Sequence, residues 1–244
     1  MLLCDLLEIP RGVTALVGGG GKTTLLRRLA AELSARGRVL CLTTTHMYPP
    51  QGGYVRSPAP EELARAFSRV HAITIGEPTD GGKLGRPLGN LQALLATADY
   101  ALIEADGSHG LPLKVPAEHE PALPGGEALV IALAGASGIG KLIEEAAHRP
   151  ALYAALLHKR QTDPVTPEDA AFVLQHEHGQ RKNVRKRFMV VLNQCESESA
   201  LEAARQCAAR LRDPCALVAL RENPNFYELW RNGTCSCSSR EREI

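Results

Sequence analysis

Aromatic side chains make up only 4% of this chain, with a single tryptophan among them. Proteins that grip single-stranded nucleic acid stack bases on aromatics set among basic residues, so this scarcity argues against a nucleic-acid partner. The basic run Arg181, Lys182, Arg185, Lys186 and Arg187 stands alone between a helical and a strand-like stretch, and reads as a solvated loop. Long apolar runs are missing as well. None approaches the roughly 18 residues that a spanning helix needs, so no membrane segment is expected. The N-terminus, MLLCDLLEIPRG, contains Asp5 and Glu8 but neither a basic stretch nor a cleavage pattern, and does not read as a secretion signal. Neither charge sign dominates: the formal net charge is +1, which gives no global pull toward polyanions. The seven cysteines are odd in number and lack a framework spacing, and several fall inside apolar runs as small core residues do. A reducing, cytoplasmic setting is the expectation. No internal repeat is visible.

What is present is ordinary for a globular protein, 44% apolar and 23% charged. Its 244 residues lie near the upper size for a single core, so one domain over 1–232 is expected. The tail 233–244, GTCSCSSREREI, has little apolar content and is expected to be disordered, its lone C-x-C too little for a metal site. Short β-branched runs at 13–17, 39–45, 72–75, 100–104, 128–134, 188–193 and 216–220 predict strands. Ala-, Leu-, Glu- and Arg-rich stretches at 22–35, 61–70, 88–97, 142–158, 167–176 and 198–211 predict helices between them. This alternation implies an α/β fold: a mainly parallel sheet with helices on both faces and ligands at the carboxyl ends of its strands. Two loops exceed what a connection needs, 76–87 with six Gly or Pro residues and 107–126 with four of each. Loops of that length are often functional.

The most informative segment is VTALVGGGGKTTLLRRLAAEL, a buried strand, a glycine turn and a helix opening at Lys22. Glycines let backbone N–H groups approach phosphate oxygens, and the helix presents its positive end. Gly18, Gly19, Gly20, Gly21, Lys22, Thr23 and Thr24 are therefore the candidate phosphate cradle. Lys22 would neutralise the β- and γ-phosphates, and Thr23 would coordinate Mg²⁺. The spacing is G-x-x-G-K-T-T, since Leu16 stands where the common motif has its first glycine. This shorter loop is similar to that of Mur-ligase ATP-binding domains. A second match, Gly135 to Lys141, has Leu142 in place of the metal hydroxyl and reads as a turn lining the cleft.

Glu104 and Asp106 end the strand YALIEADG, where a carboxylate can bind Mg²⁺ through water or orient an attacking water. With Lys22 they form the candidate catalytic set, and Glu104 joins Thr23 as a candidate Mg²⁺ ligand. Asp106, in Asp-Gly, also suits an Asx turn. Thr43, Thr44, Thr45 and His46 end another strand on the same rim, as substrate or metal contacts or as plain strand residues. His46, His109, Lys114 and His119 are candidate substrate contacts, and Glu118 and Glu120 share the loop of the last three.

Taken together, GVTALVGGGGKTT, TTTHMYPP, LIEADGSHGLPLKVPAEHEP, GKLIEEAAHRP and MVVLNQCES resemble the YqeC family of selenium-dependent hydroxylase accessory proteins, over about residues 5–220. The resemblance implies a P-loop NTPase-like protein using Mg²⁺ with ATP or GTP. It also implies a partner, a molybdenum hydroxylase or a protein maturing its cofactor. The strand end Glu104–Gly107 is similar to the ExxG element of nickel-delivering metallochaperone GTPases, a likeness at fold level. Asn193, Gln194, Cys195 and Glu196 occupy the place of the family's N-K-x-D tendency, which makes Asn193 and Glu196 candidate base readers. Glu196 is one methylene longer than the expected Asp, and Gln194 lacks a charge, so guanine selectivity is not implied. The leading expectation is an NTP-hydrolysing accessory factor. The alternative is an ATP-dependent small-molecule kinase or ligase with a short Mur-like phosphate loop.

Overall fold

The structure, a computed structural model, describes residues 1–239. Its strands are β1 (Gly12–Gly18), β2 (Val39–Thr43), β3 (His46–Met47), β4 (Ala72–Thr74), β5 (Glu77–Thr79), β6 (Lys83–Gly85), β7 (Tyr100–Glu104), β8 (Leu113–Lys114), β9 (Leu129–Gly135), β10 (Ala147–His148), β11 (Arg187–Asn193), β12 (Cys215–Ala219), β13 (Asn223–Arg231) and β14 (Thr234–Ser238). The helices are α1 (Leu3–Leu6), α2 (Lys22–Leu33), α3 (Pro60–Ala66), α4 (Leu91–Leu95), α5 (Ile143–Ala146), α6 (Pro150–Leu157), α7 (Pro167–Gln175) and α8 (Glu198–Ala208).

The main sheet runs β14-β13-β12-β11-β9-β1-β7-β2-β4, parallel from β12 to β4 and antiparallel at the β13–β14 edge. Helices cover both faces, as the alternating pattern predicts for an α/β P-loop NTPase-like fold. Period-two alternation sorts the side chains: Leu16, Leu102 and Ile131 face α1 and α2, whereas Ala15, Val17 and Ala132 face α5 to α8. Ala101 and Ile103 share that second face nearer the β4 edge, under α3 and α4. Helix α2 buries Leu25, Leu26, Leu29 and Leu33, a stripe worth roughly 1.5–3 kcal/mol per side chain.

The register aligns the carboxyl ends. Gly18 lies opposite Leu133, Glu104 opposite both Leu16 and Thr43, and Asn193 opposite Gly135. Every strand-end motif of the sequence therefore meets on one rim of the sheet.

Three expectations need correction. The predicted helix over 142–158 is broken into α5 and α6, because Ala147 and His148 pair with Leu113 and Lys114 and Arg149 takes a left-handed conformation before Pro150. Proline disfavours α geometry in the residue before it, which ends one helix and starts another. The tail expected to lack structure from Gly233 forms β14, paired with β13 through residues 228–231; 240–244 lie outside the described residues. The loop 76–87 folds as the β5–β6 hairpin, which β3 joins through His46–Gly85 and Met47–Leu84. Among the described residues no helix is long and apolar enough to cross a membrane.

Candidate functional site

A cleft of about 1250 Å³ opens along the carboxyl rim. Its floor is the start of α2, Gly21 to Thr24, with Glu104 beside it. One side is built by Thr44, Thr45, His46, Met47 and Tyr48 with Lys83 from the β5–β6 hairpin, the other by Ser108, His109, His119, His148 and Arg149. Asn193, Gln194, Glu196, Arg221 and Glu222 complete the far end.

The glycine loop is clamped from above. Gly19 N–H donates to Leu133 O at 2.9 Å and Gly20 N–H to Leu111 O at 3.1 Å. A Cβ on Gly18 would lie 2.2 Å from Leu133 O, and one on Gly20 2.3 Å from Gly135 N. Only glycine admits that approach, and both backbones have positive φ. Gly18 N–H donates to both carboxylate oxygens of Asp106, at 3.1 and 2.9 Å. The expected cradle is therefore narrower than the motif: the amides of Gly18, Gly19 and Gly20 bond within the protein, and Gly21, Lys22, Thr23 and Thr24 offer theirs. As the first N–H groups of α2 these lack intrahelical acceptors, and Gly21 caps the helix without a side chain.

The two strand-end carboxylates diverge. Glu104 lines the cleft and accepts from the Thr23 hydroxyl at 2.9 Å. Burial pushes its carboxyl above the ordinary range, against the pull of Lys22 and of the Thr23 hydroxyl. Asp106 is fully buried below the loop, paired with Lys22 at 3.1 Å and Lys114 at 3.0 Å. Expected in the catalytic set with Glu104, it does not face the cleft, because β7 ends at Glu104 and the chain turns under Gly18. Lys22 itself is folded inward, donating to Gly18 O.

Lys114, expected at a substrate, is buried too: it donates to Gly107 O at 2.6 Å and pairs with Glu120 at 2.9 Å. Arg149 continues the chain with two bonds to Glu120, at 2.6 and 3.3 Å. Burial raises the Glu120 carboxyl, yet bonds from Lys114, the Ala117 amide and Arg149 bring it down to about 2. His109 stacks on His148 with ring centroids 4.7 Å apart. His148 is lowered to about 4 by burial and by Arg149, Lys114 and His109. Sequence reasoning missed Arg27, Lys83, His148 and Arg149 as cleft residues; the AAHRP string held the last two, His148 placed by the pairing of β10 with β8 and Arg149 by the left-handed turn that follows it. His46 and His119 also line the cleft.

Asn193 is a strut rather than a free reader. Its amide donates to Gly20 O at 2.7 Å, and its carbonyl oxygen accepts from Leu220 N–H at 3.1 Å. Gln194 accepts from the Ser137 hydroxyl at 2.5 Å, while Glu196 stays exposed at the cleft's end. Lys141 is exposed; of its loop, Ser137 alone lines the cleft. The basic run is tied down locally, with Arg181 on Asp213, Lys182 on the Ala117 and Glu118 carbonyls, and Arg187 on Glu8.

A family model described as YqeC protein matches residues 14–151, more than half of the chain and all of the glycine loop with Glu104 and Asp106. A protein of Escherichia coli (strain K12) named "Uncharacterized protein YqeC" is 36% identical over 202 residues, which cover 77% of this chain and 79% of that protein. The chain belongs to the YqeC family. The match reaches His148 and Arg149, so the cationic side of the cleft lies inside the family's defining segment.

The oxygen donors here are of the kind a hard cation takes. Thr23 and Glu104 are adjacent, and the buried Thr44 hydroxyl lacks a hydrogen-bond partner although it lines the same cleft. Among the described residues no group of three or more His, Cys, Asp and Glu is arranged to hold a metal ion.

Proposed function

We propose that this YqeC-family protein binds a nucleoside triphosphate with Mg²⁺ in the cleft and hydrolyses it, as an accessory factor in maturing selenium-dependent molybdenum hydroxylases or their cofactor. The observation that carries the nucleotide reading is convergence. The first amides of α2, the Thr23–Glu104 pair and the unpartnered Thr44 hydroxyl meet at one place on the rim, with the Lys22 ammonium held just inside on Asp106 and Gly18 O. The maturation role rests on the family resemblance.

Hydrolysis joins a water oxygen to the terminal phosphorus and breaks that phosphorus's bond to the bridging oxygen, leaving a diphosphate and inorganic phosphate. Mg²⁺, held by Thr23 and Glu104, would spread the charge of the transferring group. Glu104, which lines the cleft beside the Thr23 hydroxyl, is the carboxylate placed to orient the water. Lys22 must leave Asp106 and Gly18 O to reach a phosphate, so binding and loop geometry are coupled.

Equilibrium binding of ATP and GTP with Mg²⁺ tests the reading. Lys22→Ala should lose at least a hundredfold in affinity and stay folded, while the exposed Lys141→Ala should change it less than threefold. Wild-type affinity in a folded Lys22→Ala variant would remove the site. Turnover raised only by an apo-hydroxylase supports the accessory role, whereas a soluble acceptor that raises ATP consumption many-fold selects the kinase or ligase alternative.

A further inference from the structure

We propose that the cleft seats a second ligand beside the nucleotide, a small molecule bearing a phosphate or carboxylate group, against the wall of His109, His148 and Arg149. This deepens the nucleotide reading and rests on it for the first ligand only. The cleft's volume, about 1250 Å³, exceeds the roughly 300–1,000 Å³ that ordinarily encloses one ligand. The phosphate floor and the Asn193–Glu196 end account for one side of it.

The remaining wall has the chemistry of an oxyanion seat. Arg149 uses two of its five N–H donors on Glu120, which leaves three on a guanidinium whose side chain is 29% exposed. Glu120 cannot repel an anion effectively, since Lys114, Arg149 and the Ala117 amide already surround its carboxylate. His109 and His148 stand stacked beside it, and Ser108 adds a hydroxyl. Two residues of this wall, His109 and Arg149, hold left-handed backbones at φ 51° and 61°, a strain that the surrounding contacts must support. Burial first, and then the neighbouring Arg149 and Lys114, disfavour the charged form of His148, so an arriving anion would help it take up a proton and gain a charged hydrogen bond.

The wall is also wired to the phosphate loop. Lys22, Asp106, Lys114, Glu120 and Arg149 form one unbroken run of ion pairs, of 3.1, 3.0, 2.9 and 2.6 Å. A second ligand on Arg149 would therefore sense whether Lys22 rests on Asp106 or on a phosphate.

The test uses the full chain saturated with Mg²⁺ and a triphosphate analogue that cannot be hydrolysed. Equilibrium dialysis against labelled inorganic phosphate, and separately labelled succinate, should show one further equivalent of either or both. Phosphate alone identifies a phosphate-bearing ligand and succinate alone a carboxylate. Affinity for that probe should fall at least tenfold in His109→Ala, whose exposed ring lies outside the run of ion pairs and supports no buried charge, with analogue affinity unchanged; Arg149→Gln should weaken the probe as well. Binding of neither probe, or equal binding in wild type and His109→Ala, overturns the proposal. If the analogue itself fails to bind, the nucleotide reading fails alone; phosphate bound by Lys22→Ala and lost in His109→Ala still supports the wall.

Discussion

The Lys22 ammonium lies 3.1 Å from the Asp106 carboxylate, with both side chains buried beneath the glycine loop. Asp106 thereby balances two lysines and holds the Gly18 amide, which makes it the keystone of the loop's resting shape. Asp106→Asn would leave Lys22 and Lys114 short of a countercharge in the interior. Removing one partner of such a buried group costs about 3–5 kcal/mol. The denaturation midpoint should fall accordingly. An unchanged midpoint together with abolished turnover would return Asp106 to a catalytic role.

Glu104→Gln should behave oppositely. Burial already favours the uncharged carboxyl, so an amide adds no unpaired charge and can still accept from the Thr23 hydroxyl. Stability should stay within about 1 kcal/mol of wild type, and nucleotide should still bind. Turnover should drop by about 10²–10⁴, the range for losing a positioned acid or base. Wild-type turnover in the variant would sink Glu104 as the water-orienting group.

Stability should fall as pH drops from about 6.5 toward 4, through His148. Its folded pKa, lowered to about 4, lies below the unfolded value, so in that interval the unfolded chain binds more protons. The contribution is complete above about 6.5 and lost as acid protonates the ring beside Arg149, Lys114 and His109. Glu120 adds a second loss at lower pH, from about 4.5 toward 2, since its carboxyl is held down by Lys114, Ala117 and Arg149. Urea midpoints measured from pH 4.5 to 7 should slope less in His148→Gln than in wild type. Parallel slopes would mean that the ring is not held neutral.

The parallel core and the rim of the site were legible because both follow from local pattern. Apolar runs such as 13–17 and 100–104 name buried strands, and four glycines before Lys-Thr-Thr name a strand-to-helix turn. What pattern could not supply was partnership. Nothing in EADG tells which of Glu104 and Asp106 faces the cleft, since that depends on where β7 ends under Gly18. Lys114 reads as a loop cation, yet the carboxylates of Asp106 and Glu120, eight residues before it and six after, draw it inside. The β13–β14 edge was missed because its alternation carries polar residues such as Glu228, buried here through its ion pair with Arg205.

Base discrimination should be weak, with ATP and GTP bound within about tenfold, or about 1.4 kcal/mol, of each other. Asn193 has its carbonyl oxygen on Leu220 and an N–H on Gly20, so its main task is to brace the phosphate loop. Asn193→Ala should then weaken both nucleotides alike, and Glu196→Ala should leave their ratio nearly unchanged. A competition titration reads both. A preference for GTP beyond a hundredfold that vanishes in Glu196→Ala would show that this exposed carboxylate reads guanine.

Thr44 offers the sharpest separation of stability from activity. Its hydroxyl is buried without a hydrogen-bond partner, while its amide donates to Glu104 O at 3.1 Å. An unsatisfied buried hydroxyl costs about 1–3 kcal/mol, so a fold shaped only for stability would have no reason to keep it. Thr44→Val conserves the branched shape and the backbone bond and removes only the orphan oxygen. The variant should be as stable as wild type or more so, with a denaturation midpoint equal or higher. If that oxygen serves the Mg²⁺ and terminal phosphate held by Thr23 and Glu104, turnover should fall at least tenfold at saturating nucleotide. A less stable variant with wild-type turnover would show instead that the hydroxyl has a structural partner and no part in the site.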